Sequence, residues 1–255
     1  QTAEQKRYGI AKGGKDWGYK WAQTDDRFDV SKEPNEAHRH GWVVEVDPSG
    51  RKKPVKLTAL GRFKHENAEV VIAKDGRAVV YLGDDERGEF LYRFVSRDRY
   101  QPNGDNSTLL HEGSLFVAKF NDNGQGEWMN LADAGMAPDE TLVFARLAAS
   151  KLGATTMDRP EWVAANPHKA EAYVALTNNK YRGERESQPL NMANPRAKNP
   201  YGHIVRWVPA GADHAADTFA WDMYVMAGNP TVHSDLMAGS SNINADNMFN
   251  SPDGL

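Results

Sequence analysis

Glu66, Glu161 and Asp253 each belong to a short acidic segment, GRFKHE, MDRPE and SPDG, and 95 and then 92 residues separate them. Carboxylates at one recurring structural position meet at a single site if the unit that carries them repeats around an axis. An all-oxygen ligand set favours hard cations, namely calcium, magnesium, manganese or ferric iron, over zinc. Crowded carboxylates also raise one another's pKa, and a bound cation relieves that repulsion. Lys64 and Arg159 stand two residues before Glu66 and Glu161. Side chains two apart on an extended strand share a side, so each cation would address the same site as its acid. Metal plus guanidinium suits an oxyanion such as phosphate, because the arginine fork matches two of its oxygens. The expectation is metal-assisted hydrolysis of a phosphoester, with Lys64 and Arg159 as catalytic cations and Glu66, Glu161 and Asp253 as metal ligands.

The elements that must position these residues recur with them. Before Glu66 come GWVVEVD, a turn and PVKLTAL; before Glu161, SLFVAKF, NDNGQ and GEWMNLA; before Asp253, GHIVRWV, PAGADHAAD and FAWDMYVMAG. Each reads as two strands joined by a turn. After the acid, AEVVIA-KDGR-AVVYLGDD resembles EWVAAN-PHKA-EAYVALTNN. A four-stranded antiparallel unit repeated along a chain predicts an all-β β-propeller. The short turns, NDNGQ included, fall on one face of it. The long connections 133–157, 178–201 and 229–250 fall on the other, with the acids. The predicted division of this part of a single propeller is an approach loop over 1–40, outer strands of a blade over 41–60, a blade over 61–132, a helical insertion over 133–157, a blade over 158–228, and a loop with the start of the next blade over 229–255. About two full blades plus parts of two more leave open sheet edges, which predicts a piece of a longer closed protein. One inserted helix is expected in APDETLVFARLAASKLG, with Pro138 in the first turn, Leu142, Ala145, Ala149 and Leu152 on one face, and Gly153 past the end. It is placed as a cap over the face that bears the acids.

With 255 residues, 40% hydrophobic, the chain can bury a sizeable core. A net charge of −4 without a dense basic run gives no reason to expect nucleic acid, and no membrane span is read. The absence of cysteine excludes disulfides and thiolate ligands within these residues. QTAEQKRYGI lacks the apolar core of a signal peptide. His65 neighbours Glu66 but should point to the opposite side of its strand, a structural role. Asp84, Asp85, Asn178 and Asn179 end equivalent strands and suit turn chemistry, with calcium binding as the alternative. Arg182, Arg185 and Arg196 read as exposed loop charge, or as residues that greet an anionic substrate. Trp42, Trp128, Trp162, Trp207 and Trp221 read as packing between blades.

The runs NEAHRHGWVVEVDP, PVKLTALGRFKHENAEVVIAKDGRAVVYLGDDERGEFLYRFVS, GATTMDRPEWVAANP, ALTNN, NPRAKNPYGHIVRW and SPDGL together resemble the PhoX-type bacterial alkaline phosphatases over nearly the whole chain. The resemblance implies a six-bladed propeller enzyme that hydrolyses phosphomonoesters at a cluster of ferric iron and calcium ions. It implies export by the twin-arginine route to the periplasm or beyond, and a monomer as the complete protein. Carried over by position, Glu66, Glu161 and Asp253 would be metal ligands and Arg159 would contact phosphate. Further ligands, among them a cysteine, and the segment that closes the propeller would lie outside these residues, and the chain alone could be inactive. Two rival readings are a calcium-bearing propeller that serves as an interaction platform, and a calcium-dependent lactonase-like hydrolase with no role for Arg159.

Overall fold

The computed structural model describes residues 2–10 and 18–255; residues 11–17 of the expected approach loop lie outside them. Chain order begins with a short helix, α1 (Ala3–Arg7), and two two-residue strands, β1 (Val44–Glu45) and β2 (Val55–Lys56), which pair only with each other. A meander then runs through β3 (Glu69–Ile72), β4 (Arg77–Gly83), β5 (Leu91–Arg99), β6 (Gly113–Phe120) and β7 (Gln125–Asn130). Helices α2 (Pro138–Val143) and α3 (Ala145–Lys151) follow. A second meander comprises β8 (Pro160–Ala165), β9 (Ala172–Leu176), β10 (His203–Pro209) and β11 (Thr218–Met226). The β3–β4 turn shows why its sequence folds so. Asp75 Oδ1 accepts the Arg77 N–H at 3.0 Å, and Gly76 takes the left-handed φ of 87° that the turn requires.

Among the described residues the nine longer strands form one antiparallel sheet, in the order β3-β4-β5-β6-β7-β11-β10-β9-β8. The sheet doubles back on itself, so that its two meanders stack as propeller-like blades. At the outer edge β7 pairs with β11, with Glu127 opposite Thr218. At the inner edge β3 and β8 are joined by side chains instead. The Asn67 amide donates to the Val163 carbonyl at 2.7 Å and accepts the Val163 N–H at 3.0 Å, and Glu69 Oε1 accepts the Ala165 N–H at 3.0 Å. Between the blades lie Val79, Tyr81, Trp128, Val163, Val174, Trp207 and Phe219. A second core covers the far side of the first blade, where Val80, Leu82, Phe94 and Leu115 meet Ala145, Ala148 and Ala149 of α3. Alternate residues of β4 thus serve two cores, which is why AVVYLG is apolar throughout. Among the described residues no helix is long and apolar enough to cross a membrane.

The mostly-β, propeller-like architecture with a small helical insertion matches the expectation, and four details differ. The first blade has five strands, because Leu91–Arg99 inserts between the two pairs expected from sequence. Strand β6 therefore runs towards the end of the blade where Asp84 sits, and the NDNGQ turn lies there rather than on the plain face. Asp122 Oδ1 in that turn accepts the Met192 N–H of the long 178–201 connection at 3.2 Å. The single helix is two, broken at Phe144 (φ −115°, ψ 44°). Those helices pack on the flank of the first blade and also reach its acid-bearing end, where Arg146 of α3 binds Asp84. Finally, Trp128 and Trp207 are buried between the blades, whereas Trp162 is 39% exposed.

Candidate metal centre and its arginine

Glu66 lies just before β3, Asp85 just after β4, and Glu161 second in β8. Each offers a carboxylate oxygen within 4.8 Å of the others. Local backbone contacts bring them together. The Glu66 N–H donates to the Gly83 carbonyl at 3.3 Å, and the Asp85 N–H donates to the Lys64 carbonyl at 2.9 Å. Glu161 reaches the group because Gly83 has no side chain. A methyl there would run into the Glu161 carbonyl and stand 3.1 Å from that of Pro160.

Arg159 closes one side. Its Nε donates to Asp85 Oδ1 at 3.0 Å, and its Nη2 lies 2.9 Å from Asp85 Oδ1 and 3.2 Å from Glu161 Oε1. Its backbone sits in the left-handed region at φ 52°, a conformation that costs an L-residue roughly 1–2 kcal/mol. Strained backbone of this kind persists where the surroundings fix it, and such places are often functional. Thr177 Oγ1 donates to Glu161 Oε1 at 3.3 Å. Asp253 stands outside the 4.8 Å group, yet its charge is felt by both glutamates. Its segment is docked by Ser251, whose N–H donates to the Tyr201 carbonyl at 2.5 Å and whose Oγ accepts from the Asn178 amide at 3.4 Å.

The electrostatics are those of acids awaiting a cation. Burial, then the charge of Asp85, pushes the Glu161 carboxyl up to about 8, and Arg159 offsets only part of that. Glu66 is likewise raised, by burial first and then by Asp85 and Asp253. Oxygens within 4.8 Å of one another need only small side-chain shifts to stand about 2.3–2.6 Å from one centre, the distance calcium requires. The donors are all carboxylate oxygens, so the residues present fit a hard cation.

A family model described as Alkaline phosphatase PhoX matches residues 1–255. The chain belongs to the PhoX family. A solved structure of Pseudomonas fluorescens PhoX in complex with vanadate, a transition state analogue, is 50% identical to it, with a TM-score of 0.94. That match covers 100% of this chain and 47% of the other, so the chain spans about half the length of that PhoX. No curated protein matches the chain.

Within this PhoX chain the residues singled out from sequence have separate fates. Glu66, Glu161 and Arg159 come together, and Asp253 stands close by. Lys64 turns aside from Glu66, and its ammonium lies 2.8 Å from Glu86 Oε2. The stretch that carries it is not a continuous strand, since only His65 bridges to Asp84, so same-side alternation does not hold there. His65 is structural: its Nε2 is 2.9 Å from the Gly61 carbonyl, its ring stacks on Phe63, and burial pulls its pKa down to about 4. Arg182 and Arg196 are not loop charges but buried braces. Arg182 Nε donates to Asp158 Oδ1 at 2.7 Å, and Arg196 donates to the Ala227 and Gly202 carbonyls. Asp85 is the group member that sequence reasoning read first as turn chemistry, with calcium binding as the alternative. The signal available was its doubling with Asp84 at the end of an apolar strand, where one acid can turn inward and the other out to a site.

Proposed function

We propose that this chain carries part of the active site of an alkaline phosphatase that hydrolyses phosphomonoesters, with Glu66, Asp85, Glu161 and Asp253 holding calcium and ferric iron. The observation that carries this is the meeting of three carboxylates within 4.8 Å with the guanidinium of Arg159 on their flank. The vanadate bound by the Pseudomonas fluorescens PhoX supports it, since that protein holds an analogue of a transition state. When bound, the cations supply Lewis-acid polarisation of the phosphoryl oxygens and neutralise the carboxylates. Arg159 then turns its fork from Asp85 and Glu161 to two oxygens of the phosphate, whose charge it stabilises as the ester bond breaks. The left-handed backbone at Arg159 fixes the direction of that fork. Thr177 holds Glu161 in place through its hydroxyl. Lys64 is the second cation on the anion's approach, 57% exposed at the rim.

The complete protein acts in the periplasm or outside the cell as a monomer, without nucleic-acid or membrane partners. The test is metal analysis and phosphomonoesterase assay of the full-length protein, with a Glu161→Gln variant beside it. Iron and calcium in the wild type, and loss of both metal and turnover in the variant, are expected. Calcium without iron and no hydrolysis would instead identify an interaction platform.

A further inference from the structure

A cavity of about 460 Å³ opens beside the carboxylate group, with Lys6, Arg87, Tyr181, Arg185 and Gln188 among its walls. Glu66, Asp85, Arg159 and Glu161 do not line it, but its wall comes near them in two places. Lys64 and Glu86 also line it, two residues from Glu66 and one from Asp85, which places their backbones within about 7 Å of those acids.

The cavity's charges do not balance. Arg7 pairs with Glu89 at 2.9 Å, Lys64 with Glu86 at 2.8 Å, and Arg146 with Asp84 at 2.6 Å. Among the described residues no carboxylate pairs with Lys6, Arg87 or Arg185. Arg87 gives its Nη2 to Asn178 Oδ1 at 2.9 Å, while its Nε is buried without a partner. The Arg185 guanidinium stands over the Tyr181 ring, 3.4 Å from its centroid, a cation–π contact that favours this placement at the cavity wall. Uncompensated cations gathered around one cavity attract anions, and the arginine forks favour planar carboxylates and phosphates.

We propose that this cavity receives a second anionic group, a carboxylate or a phosphate, carried on the organic part of the phosphomonoester whose reacting phosphate sits at Arg159. This rests on the phosphatase reading above. The nearness of Lys64 and Glu86 to Glu66 and Asp85, and the bond from Arg87 to Asn178, which in turn holds Ser251 beside Asp253, favour one substrate with two anions over two separate ligands. The enzyme therefore prefers esters with a second negative group.

The test uses the metal-loaded, full-length protein with three esters: glycerol 3-phosphate, 3-phosphoglycerate and glycerol 1,3-bisphosphate. At least one of the two doubly anionic esters should show kcat/KM about tenfold higher than glycerol 3-phosphate, the size of one charge-assisted hydrogen bond, expressed mainly in KM. Which one gains distinguishes carboxylate from phosphate. Arg185→Ala and Lys6→Ala remove exposed side chains, so folding is not at issue, and either should bring the ratio towards one. Equal kcat/KM for all three esters in the wild type, or a preference that survives both substitutions, would overturn the cavity's role while leaving the phosphatase reading intact. Failure to hydrolyse any of the three would overturn both.

Discussion

Arg146 grips Asp84 through two hydrogen bonds, Nε to Oδ2 at 2.7 Å and Nη2 to Oδ1 at 2.6 Å, and both side chains are shut away from solvent. The same carboxylate accepts the Lys64 N–H at 3.2 Å. One acid thus fastens the helical insertion, the end of β4 and the segment that leads to Glu66. Burial raises the Asp84 carboxyl, and Arg146 is what offsets this. Removing one partner of a buried pair leaves an uncompensated charge, at about 3–5 kcal/mol. Arg146→Met should lower unfolding free energy by that amount in a denaturant titration, and the double variant with Asp84→Leu should recover part of it. A loss of under about 1 kcal/mol in the single variant would remove the pair from the fold's supports.

Arg159→Ala should cut kcat/KM for a phosphomonoester by about 10²–10³-fold while leaving metal content unchanged. Arg159→Lys should restore little, because an ammonium cannot reproduce the fork that now spans Asp85 and Glu161. Full turnover in the alanine variant would favour the lactonase-like reading.

Metal removal should make stability depend on pH. The Glu161 carboxyl has its usual 4.5 raised to about 8 in the folded chain, so the folded state holds that proton more tightly than the unfolded state. Its contribution to stability is therefore lost as pH rises from about 4.5 to about 8. Calcium should abolish the slope by taking the proton's place. Thermal melts across this pH range, with and without calcium, read both effects, and identical profiles would mean that Glu161 does not bind the ion.

Gly83→Ala should weaken calcium binding as well as stability, because the methyl would collide with the Glu161 carbonyl while the same residue's carbonyl holds Glu66. Calorimetric titration should show at least a tenfold loss of affinity, comparable to loss of an outer support of a metal site. Unaltered affinity would show that the strands have room to part.

Much of the site was legible because Glu66 and Glu161 precede or open inner strands after matching units, and repetition survives in sequence when contacts do not. Asp85 was ranked as a turn residue before a calcium ligand, because the composition of GDDER suits any turn. The fifth strand carries Arg93, fully buried with its guanidinium 3.0 Å from the His214 carbonyl and packed against Phe116 and Trp128. An arginine in that setting breaks the apolar pattern a strand normally shows. Arg182 and Arg196 misled in the same way, since an arginine satisfied by an interior carboxylate or carbonyl spells the same letter as one in water. Lys64 reaches Glu86 rather than the side of Glu66 for a local reason, because alternation presumes an unbroken strand.

Where β3 faces β8, the amide of Asn67 and the carboxylate of Glu69 take the place that main-chain pairing would otherwise fill. A seam sewn by two side chains differs from a sheet, because a single base change can loosen it. Evolution can therefore adjust how far the two blade openings stand apart, and with them the bite of Glu66 on Glu161, without unravelling either blade.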